Sequence, residues 1–138
     1  MHSQTLPSLA DESAIHALMA LYGHLIDERN WDLMPDLFTT DVVYDMSTFG
    51  LGRVQGISAV RQLWIDNEQL HPLAHHATNI LISTDGSGTV RVLSKGLGVG
   101  RNGRVGSVVY RDIVRREPAG WRIAERVGVL RTAVTSSI

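Results

Sequence analysis

Four stretches in the second half of the chain, residues 75–84, 89–99, 104–116 and 121–131, alternate apolar and polar side chains or run apolar, and a turn signal parts each from the next. The separators are Asp85-Gly-Ser-Gly88, Arg101-Asn-Gly103 and Pro118-Ala-Gly120. Asp-Gly and Asn-Gly accept the positive φ angles of tight hairpin turns, so the pattern predicts a four-strand antiparallel meander. Long consecutive hairpins twist and coil, and their concave side needs a cover. The first half of the chain supplies it.

There the period is helical. A helix is expected from Ser8 or Asp11, either of which can cap, with Asp11 and Glu12 placing negative charge in its first turn. Ile15, Leu18, Met19, Tyr22 and Ile26 then recur on one face. At 100° per residue Asp27 falls on a flanking stripe with His16 and Gly23, so a straight helix does not aim Tyr22 and Asp27 at one point. Bringing them to a common site requires a groove along the helix flank or a bend near Gly23. Residues 31–38 read as a short second helix that tolerates Pro35 near its start. Asp41 to Met46 reads as a strand, Gly50 to Gly56 as a turn or loop, and Ser58 to about Leu70 as a third helix with Ile57, Val60, Leu63 and Trp64 on its apolar side and Pro72 as its stop. Residues 1–7 are expected to fray. Helices, one interposed strand and a meander make an α+β domain.

At 138 residues, with 43% hydrophobic, the chain is expected to form one domain spanning 1–138. Its net charge of −1 leaves no footprint for nucleic acid or an anionic membrane. Of the 13 basic residues, ten follow residue 90, so several could line one sheet. Without cysteine, disulfides and thiolate metal sites are excluded. No signal-peptide pattern opens the sequence and no apolar run nears the roughly 20 residues that span a bilayer, so a cytoplasmic protein is expected. Adjacent His75 and His76 on a strand point to opposite faces, which argues against a metal site built from the pair with His71.

Chemistry concentrates in Tyr22 to Asp27. A helix C-terminus carries partial negative charge, so Asp27 and Glu28 each cost about 0.3–1 kcal/mol there unless compensated. Spacing leaves two readings: a solvated acid at a helix end, or the partner of a distant histidine, with His75 the candidate. A carboxylate beside an imidazole fixes its tautomer and makes it a general base whose pKa the carboxylate raises, the two titrating as a unit. Tyr44 and Tyr110 read either as core aromatics with a satisfied hydroxyl or as catalytic acids. In the last strand, parity groups Arg126 with Arg122, Ala124, Gly128 and Leu130, opposite Trp121, Ile123, Glu125, Val127 and Val129. Taken alone it puts Arg126 in solvent, unless both sheet faces are buried.

In order and spacing, Leu21-Tyr22 with Ile26-Asp27, Trp31-Asp32 with Leu37-Phe38, Asp41-Val-Val-Tyr44, His75-His-Ala-Thr-Asn79, Tyr110-Arg-Asp112 and Gly120-Trp-Arg-Ile-Ala-Glu-Arg126 together resemble the SnoaL-like, scytalone dehydratase-like group of the nuclear transport factor 2-like superfamily. The resemblance spans residues 10–131. It implies a cone-shaped curved sheet wrapped on three N-terminal helices around a deep pocket, often in a dimer or trimer, working without metal or organic cofactor. Members of the group eliminate water or HCl from ring compounds. Carried over by position, Asp27 matches the dyad aspartate and His75 the general base, Tyr22 a pocket position, Arg126 an arginine near the leaving group, and Tyr44 a tyrosine that polarises a carbonyl through water. The pocket wall is expected to include Phe38, Trp64, Leu70, Leu73 and Tyr110.

One departure stands out: Lys95-Gly-Leu-Gly-Val-Gly100 occupies the strand where dehydratases carry a second histidine or an aspartate, which suggests a roomier pocket or a loosened strand. The resemblance therefore implies a cofactor-independent lyase of dehydratase or dehydrohalogenase type acting on a small cyclic or polyketide-like substrate. It leaves room for an isomerase or cyclase with the same pair, and for a non-catalytic binding or dimerisation domain.

Overall fold

The computed structural model describes residues 6–132, so of the stretch expected to fray, residues 1–5 lie outside the described residues. Helix α1, Leu9–Asp27, starts at a reciprocal cap: the Asp11 amide donates to the Ser8 hydroxyl at 3.1 Å and the Ser8 amide donates to the Asp11 carboxylate at 2.8 Å. Such a cap contributes about 1 kcal/mol. Asp11 also accepts from Trp121 Nε1 at 3.1 Å and pairs with Arg116 at 2.7 Å, so one carboxylate ties the helix start to the last hairpin. The helix buries Ile15, Leu18, Met19, Tyr22 and Ile26 as the periodicity predicts, with Gly23 and Leu25 beside them. At its far end the Arg29 guanidinium donates to the Ile26 carbonyl at 2.6 Å, bringing positive charge where the helix end favours it.

The second helix is shorter than expected. Trp31–Leu33 forms a 3₁₀ turn and α2, Met34–Leu37, a single α turn with Pro35 at its opening. Strand β1, Phe38–Asp45, begins ahead of the expected Asp41, because Phe38, Thr39 and Thr40 are already strand formers. The glycine-rich stretch read as a loop contains β2, Arg53–Gln55, paired with β1 through Val43 and Gln55. Helix α3, Ile57–Asp66, is led in by Gly56 and ends before Leu70, where the Asn67 side-chain amide donates to the Leu63 carbonyl at 2.9 Å and a 3₁₀ turn, Glu68–Leu70, follows.

The meander forms as expected: β3, Ala74–Thr84; β4, Val90–Val99; β5, Val105–Glu117; and β6, Gly120–Arg131. With β1 and β2 it makes one curved, unclosed sheet in the order β2-β1-β6-β5-β4-β3, antiparallel except where β1 runs parallel to β6. Helix α1 lies in the concavity against β3 and β6. No described helix is long and apolar enough to cross a membrane.

Two bulges decide which side chains face inward. In β6 the pairing steps from Val114 with Ile123 to Ile113 with Glu125, leaving Ala124 as an extra residue. Parity inverts there, and Ile123 and Arg126 are both buried, at 0% and 1% exposure. Strict alternation across Ala124 had put Arg126 in solvent. In β3 a second shift lies between Thr78 and Leu81, with Asn79 at φ 55°, so that His75 faces α1 while Ile80 and Ile82 pack on the core.

Candidate functional site

Strand β3 runs along the flank of α1, and Gly23 is what lets it come close. A β-carbon at Gly23 would lie 2.7 Å from the His75 carbonyl oxygen, so no bend is needed and the flank itself becomes the groove. Asp27 sits one turn further on the same stripe. Its carboxylate accepts twice from one residue: His75 Nδ1 donates to Oδ1 at 2.6 Å and the His75 amide donates to Oδ2 at 3.0 Å. A carboxylate only accepts, so Nδ1 carries the proton and Nε2 keeps a lone pair. The two side chains are 15% and 19% exposed, which partly shields the pair from water. Burial pushes the His75 pKa below the ordinary imidazole value, and the bond to Asp27 opposes that shift without overcoming it. The sign differs from the rise expected on pairing alone, because desolvation penalises the imidazolium more than the carboxylate stabilises it. His75 is thus a neutral, oriented base at physiological pH.

It lines a cavity of about 480 Å³. The floor is aromatic, with a buried cation behind it. Arg126 lies fully buried between the rings of Tyr22 and Tyr110, its guanidinium carbon 4.2 and 4.0 Å from their centroids. It donates to both carboxylate oxygens of buried Asp112, at 2.8 and 2.9 Å. Burial by itself would lower the Arg126 pKa, but Asp112 outweighs it and the group stays charged. Tyr22 and Tyr44 share a hydrogen bond of 2.6 Å between hydroxyls. Burial raises both phenols, Tyr22 well above its ordinary value and Tyr44 to about 12, while the Arg126 charge pulls the other way on each. Both therefore remain protonated, and Tyr22 is a better donor for having Arg126 against its ring.

Of the residues expected at the site, Tyr22, Leu70, His75 and Tyr110 line the cavity. Tyr44 and Arg126 stand behind Tyr22 and do not reach its wall; Arg126 is spent on Asp112 and touches no open space. Phe38 and Trp64 lie deeper still, at 2% and 1% exposure, with Trp64 edge-on to both Tyr22 and Tyr44. Leu73 is 64% exposed and off the wall. The glycines of β4 do not simply widen the pocket: the Tyr110 ring and Val108 fill the space over Gly96, and Pro72 packs on Gly98.

Two features escaped the residue pattern. His71 also lines the cavity, its ring 6.4 Å from that of His75 and its Nε2 donating to the Trp64 carbonyl at 3.2 Å. Burial lowers its pKa too. The signal was Pro72, which forces extended backbone on the residue before it. The other feature is the β4–β5 hairpin, which brings Arg101 and Arg104 to the cavity mouth. His76 is exposed at the cavity edge, and among the described residues no three metal-ligating side chains converge.

A curved, unclosed sheet wrapped over α1 in an α+β domain, with a pocket on the concave side, is the nuclear transport factor 2-like, or cystatin-like, architecture. The sequence matches the SnoaL-like domain over residues 7–127, and the chain belongs to that family. Three solved structures illustrate the likeness. A proposed aromatic ring hydroxylase from Novosphingobium aromaticivorans is 28% identical, with 91% of this chain and 92% of that one covered and a TM-score of 0.72. A nuclear transport factor 2-like protein with a cystatin-like fold from the same species is 26% identical, covering 94% and 86%, at TM-score 0.69. LinA, at 17% identity, shares the fold, with 94% of each chain covered and a TM-score of 0.76. No curated protein matches the chain in sequence.

Proposed function

We propose that this protein is a cofactor-independent lyase, of dehydratase or dehydrohalogenase type, acting on a small cyclic or polyketide-like substrate. The observation that carries the reading is the 2.6 Å bond from His75 Nδ1 to Asp27, which leaves Nε2 of a cavity-lining histidine as the free base. That nitrogen takes a proton from carbon, and Asp27 stabilises the imidazolium as it forms. Tyr22, polarised by Arg126 and joined to Tyr44, stabilises negative charge developing on a substrate oxygen. Arg126 and Tyr44 act through Tyr22 and are positioning residues, not groups that touch the leaving atom.

Among the described residues, no carboxylate side chain lines the cavity. The leaving group therefore departs as a stable anion such as halide, or takes its proton from the imidazolium formed at His75. The same pair serves an isomerase equally well, since returning the proton to a neighbouring carbon needs no leaving group. Names among the structural relatives are consistent with work on ring compounds.

The decisive assay screens cyclic β-hydroxy and β-halo ketones for elimination. On any substrate found, His75→Ala lowers kcat by about 10²–10⁴-fold; turnover within a few-fold of wild type overturns the reading and leaves a binding domain. For assembly we propose a homo-oligomer of two or three copies. Leu81 and Leu93, paired across β3 and β4, and Leu97 beyond them are 65%, 39% and 39% exposed, an apolar strip that a second copy would cover.

A further inference from the structure

The cavity has one electrical sign. Among the described residues, its lining includes the guanidinium-bearing Arg101 and Arg104 and no aspartate or glutamate. Asp27, the nearest acid to the base, lies behind His75 and not on the wall. In a protein whose formal net charge is −1, that separation of sign is a local property of the site.

The two arginines are also free to act on a ligand. Among the described residues seven of the twelve arginines pair with a carboxylate, namely Arg29, Arg61, Arg91, Arg115, Arg116, Arg122 and Arg126. Among the described residues, no carboxylate pairs with Arg101 or Arg104. Their hairpin is nonetheless well tied. The Gly100 amide donates to the Arg104 carbonyl at 2.7 Å, the Gly103 amide to the Gly100 carbonyl at 2.9 Å, and the Arg104 amide to Asn102 Oδ1 at 3.1 Å, with Gly103 at φ 79°. The backbone that carries the two guanidiniums is thus held in place, and each presents a planar fork suited to an oxyanion.

Register sets the reach. His75 pairs with Gly98, and the three residues from Gly98 to Arg101 span roughly 10 Å of chain at most. A ring lying between Tyr22 and Val108, with its acidic carbon at His75, would bring a substituent one short arm away to the mouth.

We propose that the substrate is anionic: a ring compound carrying a carboxylate or phosphate group that Arg101 and Arg104 bind at the mouth while the ring enters toward His75. This rests on the reading of the cavity as a substrate site, and it adds the class of compound. Held this way, the anion anchors the substrate outside the reacting centre, so binding at the mouth orients the carbon acid at the base.

Binding of defined probes tests it without any need for turnover. Calorimetry on the full chain at about pH 8, where histidine is neutral, would compare 2-naphthoate with its methyl ester and 2-naphthyl phosphate with 2-naphthol. The anions should bind about tenfold tighter than their neutral counterparts. The margin should shrink with added salt and vanish in the Arg101→Gln, Arg104→Gln double variant, whose exposed positions leave the fold intact. A preference for only one of the two anions identifies the oxyanion. Equal binding of acid and ester, a preference untouched in the double variant, or no binding of either anion at millimolar concentration would each overturn the proposal. Because His75→Ala keeps the mouth, an anion preference surviving in that variant with catalysis absent from the wild type would sink the lyase reading and leave this one standing.

Discussion

Gly23 of α1 packs directly on the backbone of His75, so closely that its missing β-carbon would stand 2.7 Å from the His75 carbonyl oxygen and 3.3 Å from the His75 β-carbon. A mid-helix glycine costs about 1 kcal/mol relative to alanine; the cost here is repaid in position, because the clearance seats β3 where Asp27 can hold the imidazole.

Replacing Gly23 with alanine sets helix propensity against that contact. The His75 backbone oxygen is not a flexible tip, so the strand has to move away from the helix. The expected outcome is a melting temperature within a few degrees of wild type, as the two effects offset, with a histidine titration shifted further down as the Asp27 bond lengthens. An unchanged His75 titration in Gly23→Ala would show that the clearance is not what positions the pair.

Asp112 and Arg126 form a desolvated pair, at 0% and 1% side-chain exposure. Removing one partner strands the other's charge and costs about 3–5 kcal/mol. Asp112→Ala and Arg126→Met should each unfold at much lower urea concentration, and the double variant should lose far less than the sum of the two. Additive losses would mean that the pair is not an energetic unit.

The Tyr22 and Tyr44 hydroxyls satisfy each other in the core. Tyr44→Phe leaves the Tyr22 hydroxyl buried without that partner, at about 1–3 kcal/mol, whereas converting both to phenylalanine removes the orphan along with the bond and should cost less than the two single changes combined. Denaturant midpoints of the three variants check this.

Histidine burial sets the acid limb of stability. His75 and His71 both have pKa values lowered by burial. Below the unfolded value of about 6.5 the unfolded chain binds protons that the folded chain refuses. Stability is therefore full above that pH and falls as pH drops from there through the lowered folded values. Unfolding free energies measured across this range should show the decline, and His71→Asn should flatten part of it. A stability that rose toward acid would reverse the sign of both shifts.

Much of the architecture was legible because it rests on local chemistry: the Ser8 cap, the helical face of α1 and the turn dipeptides of the meander each announce themselves within a few residues. Strand β2 did not, since three residues between glycines carry no period. Arg126 was misplaced by parity for a definite reason. A bulge at Ala124 reverses the faces, and nothing about an alanine between Ile123 and Glu125 marks it as the extra residue. The bond from His75 to Asp27 is a long-range fact that depends on the Gly23 clearance and on the β3 bulge together, and family resemblance, not spacing, pointed to it. Arg101 read only as part of a turn and Arg104 as the start of a strand, because a pocket mouth exists only once β4, β5 and α1 are assembled.

The measurement that bears most directly on the paired base is nitrogen-detected NMR of the histidine rings in the full chain, with His75 assigned by its disappearance in His75→Ala. The account predicts a neutral His75 in the Nδ1–H form that titrates below the ordinary imidazole value, and lower still in Asp27→Asn, where the opposing carboxylate is gone. A His75 in the Nε2–H form, or one titrating near about 6.5 in both proteins, would contradict it.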